Sequence, residues 1–327
     1  MGIFNAIKYN AEKYYRRLVN KILSFWGLAY PYPRYILIEP TKLCNMHCQM
    51  CSNPYLPQQE KGNMTYENFL KIIGQFPRTK VVILQGLGEI FLNPDIFKML
   101  THLKENGYYV QFATNSSLLT NEVIQTLSEL EIDEIRLSLN TLNPHLYKQI
   151  QGVDAIDKVT ENMKKLVRSV NQKSLVMINM VLSKDNYEEI TDMIDFAVNN
   201  NIKTLRLSWI QEKGDEAQRA FVSERKLPTM NLNNIKKDVK KKGVKLLVNI
   251  PDKRHALNCQ AIYNTLYITW DGFVTPCCHL DNPKIINFGN IWETSFKKIW
   301  NGKKYKEFRK AHFDKESACV NCPHYTQ

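Results

Sequence analysis

The sequence predicts an α/β fold built around a parallel β-sheet, and two observations support this prediction. Between residues 35 and 209, six short runs rich in β-branched, aromatic and aliphatic residues alternate with segments of helical periodicity. Apolar residues make up 44% and charged residues 23% of the 327 residues, which is typical of a globular protein with a large core. Strands that alternate with helices pair in parallel and are joined by right-handed crossovers.

The predicted elements follow one another at short intervals. The strands are YILIE (35–39), KVVILQ (80–85), YYVQFAT (108–114), EIRLSLN (134–140), SLVMINMVL (174–182) and TLRLSW (204–209). The helical patterns lie around residues 65–76, 95–106, 120–130, 155–170 and 187–200. From residue 211 the alternation stops, and we expect a charged loop containing QEKGDEAQRA, then one helix and the strand VKLLVNI.

Beyond Cys259 the pattern changes to that of a small cysteine-rich region. LYITWDGFVTPCC predicts a β-hairpin that turns at Asp271–Gly272, and SFKKIWNGKKYKEFRK predicts one basic helix. We therefore divide the chain into an N-terminal helix at 1–33, an α/β domain at 34–210, a linker or extension at 211–258 and a C-terminal domain at 259–327.

The N-terminal part predicts a basic amphipathic helix, because apolar and basic side chains fall mostly on different sides of the helical wheel. The apolar positions are Phe4, Ile7, Ala11, Tyr14, Leu18, Ile22 and Phe25, and the basic ones are Lys8, Lys13, Arg16, Arg17 and Lys21. Such a helix either lies on an anionic membrane, where Phe25 and Trp26 suit the interface, or packs on the rest of the protein. Peripheral membrane contact through residues 1–28 is therefore one of two expectations.

The net charge and the cysteine content indicate the class of binding partner and the cellular compartment. The net charge of +12 favours anionic partners, although many lysines lie in solvated runs such as IKKDVKKKG. No run approaches the length of a membrane-spanning helix, and no signal peptide is recognisable. We therefore expect a cytoplasmic protein, peripheral at the membrane if the N-terminal helix binds lipid. The eight cysteines then stay reduced, which points to metal binding or catalysis.

Three cysteines lie together in CNMHCQMC, shortly after the first predicted strand. Cys44, Cys48 and Cys51 have the spacing C-x3-C-x2-C. Three thiolates do not close a tetrahedral zinc site, which would need a fourth ligand such as His47. They do suit a [4Fe–4S] cluster whose fourth iron stays open to another ligand. The spacing resembles the signature of radical S-adenosylmethionine (SAM) enzymes, in which the amino and carboxylate groups of SAM bind that iron.

Other segments extend the resemblance to radical SAM enzymes. LQGLGEIFLNPD (84–95) is similar to their glycine-glycine-glutamate segment, where backbone and carboxylate hold the SAM ammonium group, and Leu87 replaces the first glycine. The residue before the third cysteine, often aromatic in that family, is Met50. Polar residues at strand ends are further implied contacts, although singly they also fit turn capping. The implied SAM-binding residues are Gly86, Gly88, Glu89, Asn115, Ser138, Asn140 and Asn179.

Five more cysteines fall in the last quarter of the chain. Their order resembles the SPASM/twitch extension of radical SAM enzymes, which binds auxiliary iron–sulfur clusters. The resemblance implies one closed auxiliary [4Fe–4S] cluster suited to electron transfer, with Cys278 left over. The alternative is a structural zinc site formed by the C-terminal CxxC pair with two other cysteines, or with His279 or His324. The implied cluster ligands are Cys259, Cys277, Cys319 and Cys322.

Together the resemblances imply a partial (β/α)6 barrel followed by a twitch/SPASM cluster-binding domain. They imply an oxygen-sensitive radical SAM oxidoreductase, which cleaves SAM reductively and abstracts hydrogen from its substrate with a 5′-deoxyadenosyl radical. The electron donor would be a protein such as flavodoxin or ferredoxin, and no specific nucleic-acid partner is expected. No residue is singled out as a catalytic acid, base or radical donor.

Three interpretations of the function stay open. A sugar, nucleotide or lipid-linked small molecule is the favoured substrate, because the positive charge suits an anion. A maturase of a ribosomally made peptide or protein is the first alternative. A zinc-stabilised nucleic-acid-binding protein is the alternative from another class, although no nucleic-acid-binding module is recognisable.

Overall fold

The chain divides into two compact units. The computed structural model describes residues 18–19, 22–23, 25–171, 173–212, 216–227, 233–249, 259 and 261–313. The larger unit, here called the sheet unit, comprises Ile38–Phe69 and Lys80–Ile250. The C-terminal unit comprises Met1–Leu37, Leu70–Thr79 and Pro251–Gln327.

The sheet unit is built on parallel strands. Strand β1 (Tyr35–Ile38) enters the sheet unit at Ile38. The strands that follow up to residue 249 are β2 Val81–Leu84, β3 Tyr109–Thr114, β4 Glu134–Ser138, β5 Leu175–Leu182, β6 Thr204–Trp209 and β7 Lys245–Asn249. Strands β2 to β7 lie side by side in chain order, and every neighbouring pair is parallel. The amide of Gln85, directly after β2, donates to the carbonyl oxygen of Ile38 at the end of β1 (3.0 Å). The predicted parallel α/β sheet is therefore confirmed.

Amphipathic helices connect these strands. They are α1 Tyr66–Ile73, α2 Ile96–Glu105, α3 Asn121–Glu129, α4 Pro144–Gln151, α5 Ile156–Ser169, α6 Ile190–Asn199, α7 Glu216–Glu224 and α8 Asn233–Lys241. Local signals set their ends. The hydroxyl of Thr120 accepts the amide of Val123 at the start of α3, and the side chain of Asn143 caps α4. Helix α4 ends at Gly152, whose φ is +71°.

Two elements of the sheet unit differ from the prediction. Helix α4 is missing from the predicted elements, and the segment 211–220, predicted as a loop, contains the first turn of α7. Helix α7 is fixed by tertiary contacts, because Gln218 and Val222 are fully buried in spite of their charged neighbours. The predicted strand VKLLVNI forms β7, which extends the parallel sheet beside β6.

The parallel strands bring their carboxyl ends to one edge of the sheet unit, where α/β folds gather their chemistry. The cysteine triplet follows β1, and the glycine-rich segment ending in Glu89 follows β2. Thr114 is the last residue of β3 and Ser138 is the last residue of β4. The fold therefore places the predicted site residues at one edge.

The C-terminal unit contains the predicted hairpin. Strands β8 (Thr265–Ile268) and β9 (Val274–Thr275) pair antiparallel. Gly272 in the turn has a φ of +84°, and a Cβ atom there would lie 2.6 Å from the ring of Trp292. Both the left-handed backbone and the close packing require glycine at this turn.

The predicted basic helix of the C-terminal unit is divided in two. The helices of this region are α9 Ala261–Asn264, α10 Phe296–Trp300 and α11 Lys303–Phe313. The chain turns between α10 and α11 at Asn301 and Gly302, where a Cβ atom on Gly302 would lie 2.8 Å from the carbonyl oxygen of Lys298. The prediction of one continuous helix is wrong, because glycine permits this close turn and interrupts the helix.

Aromatic side chains link three sequence segments in the core of the C-terminal unit. The indole nitrogen of Trp300 donates to the carbonyl oxygen of Tyr30 (2.7 Å), and the rings of Phe76 and Phe296 lie 4.5 Å apart. The side chain of Gln75 accepts the amide of Phe296 (2.7 Å). The end of α1 and the chain before β1 therefore pack with α10.

Only part of the predicted N-terminal helix lies within the described residues. Residues 18–19, 22–23 and 25 are helical. Leu18, Ile22 and Phe25 of the predicted apolar face, and the adjacent Trp26, are 54–63% exposed, so these side chains are not packed in a core. No helix in the described ranges combines the length and the apolar character that a membrane span requires.

Candidate functional site

The loop that carries the cysteine triplet, residues 39–53, is held by two helices of the sheet unit. The amide of His47 donates to the carbonyl oxygen of Gln151 at the end of α4 (3.0 Å). The side chain of Gln218 on α7 donates to the carbonyl oxygen of Met50 (2.8 Å). The two helices that the sequence did not predict therefore position this cysteine loop.

Two cysteines of the triplet share one tight turn of the loop, because the amide of Cys51 donates to the carbonyl oxygen of Cys48 (2.9 Å). Burial raises the pKa of Cys48, and the neighbouring thiols of Cys51 and Cys44 raise it further. In the described part of the chain, no three His, Cys, Asp or Glu side chains converge as a single metal ion would require. Cys44, Cys48 and Cys51 stay candidate ligands of a [4Fe–4S] cluster, which binds each thiolate at a different iron.

Gln151 is a site residue that the sequence analysis missed. Its buried side-chain oxygen lies 2.5 Å from the sulfur of Cys48, which donates to it. The only sequence signal is its place as the last residue of α4, directly before the capping Gly152. Gln151 therefore contacts the cysteine loop twice, through its side chain when the Cys48 thiol is protonated and through its carbonyl oxygen.

Glu89 is a buried carboxylate next to the cysteine loop. Its side chain accepts hydrogen bonds from the hydroxyl of Thr114 and the amide of Asn115, both at 2.7 Å, and Glu89 is 2% exposed. Its own amide donates to the carbonyl oxygen of Leu43 (2.8 Å). Burial raises the pKa of Glu89 to about 7, although the two hydrogen bonds oppose this shift. Such a carboxylate is a good partner for a cationic group.

The glycines before Glu89 allow the segment after β2 to approach the cysteine loop. A Cβ atom on Gly88 would lie 2.4 Å from the carbonyl oxygen of Thr41 and 2.6 Å from that of Leu43. A Cβ atom on Gly86 would lie 2.3 Å from the side chain of Glu39. Both positions therefore need glycine for packing alone, whatever else they bind.

Leu87, which departs from the family pattern, is held by its backbone. Its amide donates to the buried carboxylate of Glu39 (3.0 Å), and its carbonyl oxygen accepts from the side chain of Asn53 (3.0 Å). The same side chain of Asn53 donates to the carbonyl oxygen of Lys42 (2.6 Å). The leucine therefore does not disturb the path of this segment beside the cysteine loop.

Asn115 belongs to a small network that the sequence analysis missed. Its side chain donates to Asn45 (3.0 Å), Asn45 donates to Ser117 (2.8 Å), and Ser117 donates back to Asn115 (2.6 Å). Ser116 between them has a φ of +67°, which turns the loop after β3 back on itself. The network ties the loop after β3 to Asn45 inside the cysteine triplet.

The predicted site residues in β4, in β5 and just after β4 fall into two groups. Ser138 and Asn179 are register partners and half-buried, and Asn179 is in turn the partner of Arg206 on β6. Asn140 is buried and already engaged: it accepts the amide of Val181 (2.8 Å) and contacts the sulfur of Met50 (3.9 Å).

The described auxiliary cysteines lie together in the C-terminal unit. Burial raises the pKa of Cys277 well above its ordinary value, and the thiols of Cys278 and Cys259 raise it further. Two of the four predicted ligands, Cys259 and Cys277, are therefore near each other, with Cys278 as a third neighbour. The other two, Cys319 and Cys322, lie outside the described residues.

Two family models match the chain. The model of the radical SAM superfamily matches residues 38–197. The model of SPASM, an iron–sulfur cluster-binding domain, matches residues 259–323. The first range contains the cysteine triplet and Glu89, and the second contains all five C-terminal cysteines.

Known proteins resemble the chain in sequence and in structure. A tungsten-containing aldehyde ferredoxin oxidoreductase cofactor-modifying protein of Pyrococcus furiosus is 26% identical over 84% of this chain and 83% of that protein. A PqqA peptide cyclase of Streptomyces rochei is 29% identical over 56% of this chain and 50% of the cyclase. The crystal structure of Streptococcus suis SuiB bound to precursor peptide SuiA aligns with a TM-score of 0.68 and 19% identity, covering 91% of this chain and 71% of SuiB.

These findings agree with the fold and the cofactors that the sequence implies. The parallel sheet is that of the radical SAM partial barrel, and the C-terminal region is a SPASM domain. The domains require SAM, a [4Fe–4S] cluster and auxiliary iron–sulfur. The chain belongs to the radical SAM superfamily and is a radical SAM enzyme with a C-terminal SPASM domain.

Proposed function

We propose that this radical SAM enzyme is a maturase that abstracts hydrogen from a residue of a peptide or protein. The observation that carries the radical chemistry is the buried Glu89 carboxylate beside the cysteine loop. When bound, the reduced cluster supplies one electron to SAM, which releases methionine and a 5′-deoxyadenosyl radical that takes hydrogen from the substrate. The proposed ligands of this cluster are Cys44, Cys48 and Cys51.

Glu89 is the proposed partner of the SAM ammonium group. Its two oxygens are each oriented by one hydrogen bond, from Thr114 and Asn115, so the carboxylate is fixed before SAM binds. A cation beside it favours the ionised form and offsets the effect of burial. Glu89 therefore orients the amino-acid end of SAM toward the cysteine loop.

The remaining SAM contacts are proposed from position. Asn115, Ser138 and Asn179 lie at or near the carboxyl ends of β3, β4 and β5. The backbone of Gly86 and Gly88 follows the cysteine loop closely, so these residues also line the proposed SAM site. The remaining candidate is Asn140, whose side chain already binds the amide of Val181 and contacts Met50. We therefore propose that Asn140 supports the SAM site indirectly and does not contact the ribose.

In the C-terminal unit, we propose that Cys259, Cys277, Cys319 and Cys322 bind one auxiliary [4Fe–4S] cluster. The proximity of Cys259 and Cys277 supports half of this set. A cluster with four protein ligands is closed to substrate and suits electron transfer. The proposed electron donor to the enzyme is flavodoxin or ferredoxin.

A peptide or protein substrate is favoured by the comparisons over the small molecule that charge alone suggested. One relative in sequence is a peptide cyclase, and the chain shares its fold with SuiB, which was solved with a precursor peptide bound. The proposal therefore carries a polypeptide substrate over to this chain.

The proposal is tested by separating the substrates of a host extract by size. The anaerobically purified, reduced protein is incubated with SAM and either the small-molecule filtrate or the peptide and protein retentate. 5′-Deoxyadenosine is measured by mass spectrometry against a Cys48→Ala control. We expect the retentate to stimulate its formation and prior protease digestion to remove the effect. Stimulation by the filtrate alone would contradict the maturase proposal.

A small-molecule substrate is the second candidate, and one observation favours it. One relative, which matches over 84% of this chain, is a cofactor-modifying protein, as its name states. The net charge of +12 suits an anionic cofactor or its precursor. Stimulation by the filtrate in the same experiment would support this candidate.

We also propose that the chain contacts an anionic membrane surface through its N-terminal segment. Phe25 and Trp26 are more than 60% exposed, and their rings lie edge to face at 5.3 Å. A Cβ atom on the adjacent Gly27 would lie 2.6 Å from the backbone of Lys306 and 3.1 Å from the side chain of Lys310. Exposed aromatic rings beside lysines match the interface of an anionic bilayer.

A further inference from the structure

Helix α11 carries two polar side chains into the core of the C-terminal unit. Tyr305 and Arg309 are both fully buried. The ring of Tyr305 stacks on Phe288 with a centroid distance of 3.7 Å and meets the ring of Trp300 edge to face at 5.0 Å. The guanidinium carbon of Arg309 lies 4.0 Å from the centre of the Tyr305 ring. The ring of Tyr305 is therefore fixed from several sides.

The hydrogen bonds of these two residues are incomplete. Arg309 donates from Nε to the carbonyl oxygen of Ile262 (3.0 Å) and from Nη1 to that of Trp300 (2.8 Å). Among the described residues, neither Nη2 of Arg309 nor the hydroxyl of Tyr305 has a hydrogen-bond partner. Buried donors without acceptors are rare in folded proteins and call for a missing partner. Two such donors on adjacent turns of one helix suggest an acceptor that carries negative charge.

The contacts of Tyr305 and Arg309 lead to the segments that carry the auxiliary cysteines. Ile262, whose carbonyl oxygen accepts from Arg309, lies three residues after Cys259. Phe288, which stacks on Tyr305, donates its amide to the carbonyl oxygen of Val274 (2.8 Å), three residues before Cys277. Burial raises the pKa of Tyr305, and the thiols of Cys277 and Cys259 raise it further against the opposing effect of Arg309. The unpartnered hydroxyl and two proposed cluster ligands therefore share one region of the C-terminal unit.

We propose that the hydroxyl of Tyr305 donates a hydrogen bond to a sulfur atom of the auxiliary iron–sulfur cluster, and that Arg309 holds the Tyr305 ring in place for it. The inference rests on the proposed ligand set of Cys259 and Cys277. Hydrogen bonds to the sulfur atoms withdraw negative charge and raise the reduction potential of a cluster. The buried charge of Arg309 acts in the same direction. Tyr305 is thus a residue that tunes the auxiliary cluster without ligating it.

The test is a Tyr305→Phe variant, which keeps the stacked ring and removes only the hydroxyl. Because that hydroxyl has no protein partner among the described residues, the variant is expected to fold normally. Each variant is made together with Cys44→Ala, which removes a proposed ligand of the radical SAM cluster so that only the auxiliary cluster is observed. The proteins are reconstituted anaerobically, and the reduction potential of the cluster is measured by redox titration with electron paramagnetic resonance. Tyr32→Phe is the matched control, since Tyr32 packs on Phe296 in the same unit.

We expect Tyr305→Phe to keep its iron and to shift the reduction equilibrium up to about tenfold toward the oxidised form, which is ~59 mV for one electron. In the wild type, the proton of this hydrogen bond should couple strongly to the reduced cluster. Pulsed electron paramagnetic resonance should detect it in H2O and not in D2O, and the signal should be absent from Tyr305→Phe. An unchanged potential and an unchanged proton signal would overturn the inference. If the Cys44→Ala protein holds no cluster at all, the ligand set itself fails, which is a separate outcome.

Discussion

The carboxylate of Glu89 lies 2.7 Å from the hydroxyl of Thr114, so the segment after β2 and the end of β3 meet in one buried hydrogen bond. The amide of Asn115 donates to the other oxygen at the same distance. Both oxygens are therefore oriented, yet burial still raises the pKa of this carboxyl group to about 7. The structure therefore contains an oriented, buried carboxyl group, and a cationic partner would favour its ionised form.

Replacing this acid should weaken SAM binding. In Glu89→Gln the side chain keeps its size and loses its charge, so a charge-assisted contact to the SAM ammonium group is lost. Such contacts contribute about 1.5–3 kcal/mol, which corresponds to roughly 10- to 100-fold lower affinity. Equilibrium binding of SAM to the reconstituted protein measures this change. The exposed Glu105→Gln is the control, and equal affinity of wild type and Glu89→Gln would contradict the assignment.

The approach of the glycine-rich segment to the cysteine loop should not tolerate a side chain. In Gly88→Ala the new methyl group would lie 2.4 Å from the carbonyl oxygen of Thr41, so one of the two segments must move. Overpacking of this kind costs about 1–3 kcal/mol in free energy of unfolding. Chemical denaturation measures it, with Gly74→Ala as control, because a methyl group there would lie 3.3 Å from its nearest neighbour. Equal stability of the two variants would show that the loop adapts.

The two adjacent auxiliary cysteines should differ in importance. Cys277→Ser is expected to lose the auxiliary cluster, and Cys278→Ser is expected to keep it, because only Cys277 belongs to the proposed ligand set. Iron and sulfide analysis of the anaerobically reconstituted variants measures the difference, since losing one of two [4Fe–4S] clusters halves the iron content. Loss of iron in Cys278→Ser alone would reverse the assignment.

The exposed aromatic pair should control binding to anionic vesicles. A Phe25→Ser and Trp26→Ser double variant removes two interfacial side chains, so partitioning onto vesicles that contain phosphatidylserine should fall at least about tenfold. Added salt should weaken the binding of the wild type, because the lysines contribute electrostatically. Ile285→Ser is the control, since Ile285 is 68% exposed and lies elsewhere in the sequence. Equal sedimentation of all three proteins with vesicles would contradict membrane contact.

The sequence predicts the sheet well, because its strands are buried apolar runs separated by periodic helices. It also predicts the polar strand ends, since residues such as Glu89 and Thr114 interrupt or follow those runs. The sequence analysis did not predict helices α4 and α7, for two different reasons. Helix α4 carries both a capping Asn143 and a terminal Gly152, which were overlooked. Helix α7 depends on Gln218, whose partner Met50 is 168 residues away in sequence.

Side-chain partners within the site were less predictable than the site itself. The bond from Cys48 to Gln151 and the bond from Asn45 to Ser117 each join segments more than 70 residues apart. Nothing in the local sequence marks these partners, because their roles arise only when the strand ends meet. The substrate was less predictable still, since net charge favours an anion without specifying its class.

The most direct test of the account is the formation of 5′-deoxyadenosine from SAM by the reduced, anaerobically reconstituted protein. Slow formation without substrate is expected for the wild type, with none above background for Cys48→Ala and a strong decrease for Glu89→Gln at limiting SAM. These results would place reductive cleavage of SAM at the cysteine loop beside Glu89. Equal amounts from the wild type and Cys48→Ala, with clusters assembled in the wild type, would contradict the central claim.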